Sequence, residues 1–198
     1  MEDRLIDWSA AILAVEGETI SGDMYLIRPF TNGVLLAAVD GLGHGPEAAA
    51  SAQVAISTLE KNADQPIVSL VRNCHEALKN MRGVVMSLAS FNQTANTMTW
   101  LGVGNVEGRL IRANPKTGQF HDNLLLRGGI VGHNLPSLIA IEVPVNTGDT
   151  LIFASDGIRS DFAQNLNINA HPQQLVRDIL TRSAKNTDDS LVVVARYL

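Results

Sequence analysis

Six apolar residues in a row, Val34–Val39, run into Asp40-Gly41 and then into Leu42-Gly43-His44-Gly45-Pro46. Successive side chains of a strand point to opposite faces, so an unbroken apolar run needs cover on both sides. A chain built around such a strand must place a layer against each face of its sheet. The 198 residues suffice for one domain with a sizeable core, and a single domain over 1–198 is expected.

The surrounding pattern supplies candidate layers. Residues 4–15 predict a first strand. Asp23–Ile27 predict a second, stopped by Pro29, and a Thr31-Asn32-Gly33 turn leads into the buried strand. Pro46 opens an Ala-rich helix to about Lys61. Pro66 opens another to about Asn80, with Ile67, Leu70, Val71, Cys74 and Leu78 at helical spacing. Short β runs follow from Val84 to Glu142. Thr150–Ala154 is a buried strand, His171–Ser183 a last helix and Leu191–Tyr197 a last strand. Runs of strands with paired helices between them predict an α+β layered fold, with helices outside a pair of sheets.

Four apolar strands meet an aspartate at a turn: Asp23 in SGD, Asp40 in VDG, Asp156 in FASDG, and Asp188 with Asp189 in TDDSLVVVA. Each alone is a common turn residue. Together, with no basic residue beside them in sequence, they point to a shared divalent-metal site and to hydrolytic chemistry. Magnesium and manganese favour carboxylate, carbonyl and water oxygens. Asp40 is the best bridging candidate between two ions, and Gly41 lets its backbone carbonyl approach. The five histidines show no zinc spacing.

The ordered motifs SGD, VDGLGHG, GVGN, SDGI and DDSLVVVA cover nearly the whole chain. In this the sequence resembles PPM-type metal-dependent serine/threonine protein phosphatases, in the SpoIIE-like branch, and there the stressosome feedback phosphatases. The resemblance implies an αββα sandwich of two antiparallel sheets flanked by helices, without a large flap insertion. It implies two divalent ions, manganese or magnesium, held by Asp23, Asp40, Gly41, Asp156 and Asp188. Asp188 is favoured over Asp189 because the first member of the pair is the family's ligand. Ser190-Leu191 departs from the family's usual Met-Thr. The implied reaction is one-step hydrolysis of phosphoserine or phosphothreonine, with no cysteine nucleophile.

His44 has two readings: general acid for the leaving alkoxide, or cap of the helix that begins near Gly45. Asn105 in GVGN either lines the site or serves a turn, with the turn favoured. His75, His121, His133 and His171 lack motif support and are expected in surface or packing roles. Cys74, the only cysteine, reads as a buried packing residue.

The net charge of −5 lacks a long basic run, which argues against nucleic acid and anionic membranes as partners. The N-terminal stretch has no apolar core of a signal peptide, so a cytoplasmic protein is expected. The expected partners are phosphorylated STAS-domain proteins of a stressosome. Three other readings remain: a phosphatase of a phosphorylated anti-anti-sigma factor, a catalytically silent phosphoprotein-binding module, and a hydrolase of small phosphate esters.

Overall fold

The computed structural model describes residues 4–114 and 121–198. The N-terminal reading for a leader thus rests in part on residues 1–3, outside the described residues. In chain order the elements are β1 (Ile6–Leu13), β2 (Asp23–Phe30), β3 (Gly33–Gly41), α1 (Pro46–Lys61), α2 (Ile67–Ala77), β4 (Val84–Asn92), β5 (Thr97–Val103), β6 (Glu107–Ile111), β7 (His121–Asn123), β8 (Leu126–Arg127), β9 (Ile141–Pro144), β10 (Thr150–Ala154), α3 (Pro172–Ser183) and β11 (Ser190–Tyr197).

One sheet runs β1-β11-β10-β6-β7. The other runs β2-β3-β4-β5, with β8 and β9 sharing the outer edge of β5. The expected run in β3 has a direct structural cause. Val34, Leu36 and Ala38 enter the core between the sheets, while Leu35, Ala37 and Val39 face α1 and α2. β11 divides likewise: Leu191, Val193 and Ala195 point between the sheets, and Val192 and Val194 meet α3. The layers are therefore α1 and α2, sheet, sheet, α3, the αββα sandwich expected from the sequence.

Three local expectations are corrected. Pro29 does not stop the second strand: it lies inside β2, paired with Val34. β2 is an edge strand, where a residue with no N–H to donate is tolerated. The second helix ends at Ala77 rather than near Asn80, because the Leu78 N–H is already shared between Cys74 O and His75 O in a tightened last turn. The sheets are not wholly antiparallel, since β8 pairs parallel with β5. Among the described residues no helix is long and apolar enough to cross a membrane.

Candidate functional site

Asp23 opens β2 and Asp40 is the next-to-last residue of β3, and antiparallel pairing sets the two opposite each other. Asp156 follows the end of β10, and Asp188 precedes β11. Both pairs of strand ends lie at the same end of the sandwich, one pair from each sheet. Ser155 joins them. Its Oγ donates to Asp23 Oδ2 (2.7 Å) and accepts from the Leu191 N–H (2.8 Å).

Asp40, Asp156 and Asp188 line a cavity of about 490 Å³, with His44, Asn105, Gly104, Gly128 and Thr187 around them. Asp23 is buried behind it, at 2% exposure. Two larger grooves, of about 670 and 640 Å³, lie elsewhere and have no carboxylate in their walls. The chemistry is thus concentrated in the smaller cavity. Among the described residues, no three His, Cys, Asp or Glu side chains already stand together as a closed metal cage. The aspartates instead face a shared space.

Electrostatics mark this space as unusual. Burial raises Asp40 to about 9, with the neighbouring Asp23, Asp156, Asp188 and Asp189 adding to the effect. Burial raises Asp23 to about 7, partly offset by the Ser155 hydroxyl and reinforced by the other aspartates. Asp156 is raised by burial and by Asp188, against the opposing pull of Lys185 and Asn105. Carboxyls pushed this far by burial and like charge mark a site that a cation would relieve.

The aspartate pair near the C-terminus divides its work. Asp189 is buried and accepts from the N–H groups of Val15 (2.8 Å) and Gly22 (2.5 Å). Asp188 is exposed to the cavity. Gly41 is forced to be glycine, because a Cβ there would stand 2.2 Å from Ala48 O on α1. Its N–H donates to Gly22 O (3.1 Å).

His44 is not a helix cap. The N-cap of α1 is Gly45, with no side-chain cap bond, and His44 Nδ1 instead meets Glu18 Oε1 at 2.8 Å. Asn105 belongs to the cavity, where its Nδ2 donates to Asp156 Oδ2 (2.8 Å). Lys185 Nζ donates to the Asp156 carbonyl (2.5 Å). Sequence reasoning missed Glu18, Ser155 and Lys185, and ranked Asn105 too low. The GVGN motif pointed to Asn105 and SDGI contains Ser155, whereas no motif contained Glu18 or Lys185.

The other histidines do other work. His171 caps α3 through Gln173 N, His75 accepts from Gly132 N, and His133 Nε2 sits against Met81 O and Arg82 O. His121 borders one of the larger grooves. Cys74 is fully buried, and burial pushes its thiol up to about 12, so it offers no nucleophile.

Comparison with known proteins adds the family. Residues 31–198 match the family described as Stage II sporulation protein E (SpoIIE). The chain belongs to that family. It is 31% identical over 106 residues to the phosphoserine phosphatase RsbX of Bacillus subtilis (strain 168), covering 54% of this chain and 52% of RsbX. The chain thus spans about half the length of that curated relative. A solved structure described as "The bacterial stressosome: a modular system that has been adapted to control secondary messenger signaling" is 29% identical, with a TM-score of 0.87 over 96% of this chain and 99% of that one. RsbX in complex with magnesium superposes with a TM-score of 0.87 at 22% identity, over 100% of this chain and 98% of that one. At that identity the likeness speaks for the fold alone.

Proposed function

We propose that this family member is a metal-dependent phosphoserine and phosphothreonine protein phosphatase, formed by one catalytic domain over residues 1–198. The observation that carries this reading is the convergence of Asp23, Asp40, Asp156 and Asp188 from both sheets at one cavity. The similarity to a phosphoserine phosphatase supports it.

The donor set fits hard divalent cations. It consists of carboxylate oxygens, with no thiolate, and the Asp40 carboxylate has neither a hydrogen bond nor a cationic partner among the described residues. Asp40, Asp156 and Asp188 would hold two ions, manganese or magnesium, with Asp23 and the Gly41 carbonyl completing the set. Bound metal supplies a Lewis acid that activates water and offsets charge on the phosphoryl oxygens.

The chain's own residues do the rest. Asn105 occupies one oxygen of Asp156 and so fixes that carboxylate's rotation. Ser155 ties Asp23 to the start of β11 and holds the two sheets' aspartates in register. His44, at the wall of the cavity, gives a proton to the departing serine or threonine oxygen.

The substrates we assign are phosphorylated STAS-domain scaffold proteins of a stressosome, in the cytoplasm. The similarity to RsbX and to a stressosome structure supports this. The test is phosphate release from such a scaffold with manganese, with chelator, and with Asp40→Asn. The expected result is manganese-dependent release, lowered on the order of 10³-fold by the substitution. Release only from a free phosphorylated anti-anti-sigma factor would move the substrate. No release from either, by a folded chain with metal bound, would overturn the enzyme.

A further inference from the structure

We propose that Glu18 is a positioning residue for His44, holding the imidazole so that the proton given to the leaving oxygen comes from Nε2. This rests on the phosphatase reading above and extends it to a residue outside the aspartate cluster.

Glu18 and His44 are far apart in sequence and meet at 2.8 Å through Oε1 and Nδ1. An ionised carboxylate only accepts, so Nδ1 carries a proton in this contact. Nε2 lies on the opposite side of the ring. The proton that can leave is therefore the one on Nε2, and the proton that stays is the one facing Glu18. Carboxylate orientation of this kind fixes a tautomer.

The loop between β1 and β2 is built to deliver Glu18. Asp189 clamps both of its ends, through the Val15 and Gly22 N–H groups, and the Glu18 N–H turns back onto Val15 O (3.0 Å). Gly45, at φ +76, stands where a Cβ would lie 3.4 Å from both Glu18 oxygens. The carboxylate next to Asp188 thus carries the loop that orients His44. Stability alone does not account for the contact, because the side chains are 65% and 31% exposed and ion pairs that exposed contribute little.

In the step, a water oxygen bonds to phosphorus and its two protons stay with the phosphate product, as the bond from phosphorus to the seryl oxygen breaks. The electron pair departs on that oxygen, and the Nε2 proton moves to it, giving a serine hydroxyl. The imidazole is left neutral, keeping its Nδ1 proton in the hydrogen bond to Glu18, and is reprotonated at Nε2 from solvent.

The test pairs a spectrum with a leaving-group comparison, both on the full chain. In the metal-free protein, ¹⁵N spectra of the His44 ring should show a proton held at Nδ1, and Glu18→Ala should shift the ring toward the Nε2-protonated tautomer. With manganese, Glu18→Ala should lower turnover of a phosphoserine peptide about tenfold, and His44→Ala on the order of 10²-fold. Turnover of an aryl phosphate, whose phenolate leaves without a proton, should change less than about twofold in either. Glu18→Gln, which keeps an acceptor, should recover part of the loss, and Glu18→Ala should add nothing to His44→Ala. Equal losses on both substrates, additive losses, or an unchanged ring spectrum would overturn this proposal and leave the phosphatase standing. A wild-type chain that turns over neither substrate overturns both.

Discussion

Asp188 and Asp189 are neighbours in sequence and opposites in role. Asp189 has its two oxygens on the N–H groups of Val15 and Gly22, which belong to the far end of the chain. Removing it orphans both donors, at about 1–3 kcal/mol for each that stays dry. Asp189→Ala is therefore expected to lower the thermal midpoint in chelator by on the order of 5–10 °C. Asp188→Ala, which removes an exposed charge from an acidic cluster, should leave that midpoint unchanged or slightly raised, yet weaken manganese binding in a calorimetric titration. Equal destabilisation by the two would refute the division. From the residues alone the pair was ambiguous; the resemblance favoured Asp188, and the structure places it on the cavity. The same blindness to distance hid Glu18 and lowered Asn105, because their partners His44 and Asp156 lie 26 and 51 positions away. Spacing within a motif carries no record of such contacts.

β3 and α1 show what was legible at the scale of elements. The apolar run of β3 announced a strand covered on both faces, since its period leaves no polar side. The small residues Ala48, Ala52 and Ala55 let α1 lie close against that cover, and Gly41 is where the approach is tightest. Gly41→Ala would set a Cβ against backbone that cannot swing aside, so α1 must move off β3. The expected cost is on the order of 3 kcal/mol, read as a lower urea midpoint with an unchanged slope. Gly128→Ala is the control on the same cavity: nothing lies within 4 Å of its added Cβ, and the change should stay within about 0.5 kcal/mol. A similar loss from both would mean that close packing is not what Gly41 serves. Pro29 and β8 were not legible for a related reason. Edge position and a two-residue parallel pairing with β5 are properties of the assembled sheet, and local sequence encodes neither.

For the whole molecule, the sandwich buries carboxyls of like charge where its two sheets end together, and folding without metal must bear their desolvation and repulsion. Both Asp23 and Asp40 have an ordinary value of 3.8 and are raised on folding, to about 7 and about 9. Below 3.8 both are protonated whether the chain is folded or not. Above it the unfolded chain releases protons that the folded chain still holds, so the metal-free fold loses stability as pH rises, through about 7 for Asp23 and about 9 for Asp40. Asp40→Asn removes the larger contribution. In chelator the variant should match the wild type near pH 4 and exceed it at pH 8, by on the order of 1–3 kcal/mol. Manganese should reverse the order, because cation binding displaces the retained protons. At a hundred times its dissociation constant it should add about 2.7 kcal/mol to the wild type and far less to the variant. Urea melts of both proteins at the two pH values, with and without manganese, measure all of this at once. Parallel pH profiles for wild type and Asp40→Asn would mean that burial and the neighbouring charges do not raise Asp40 on folding. Profiles that coincide near pH 4 and diverge as pH rises, with their order reversed by metal, would tie the stability of the entire sandwich to ions held by its aspartates.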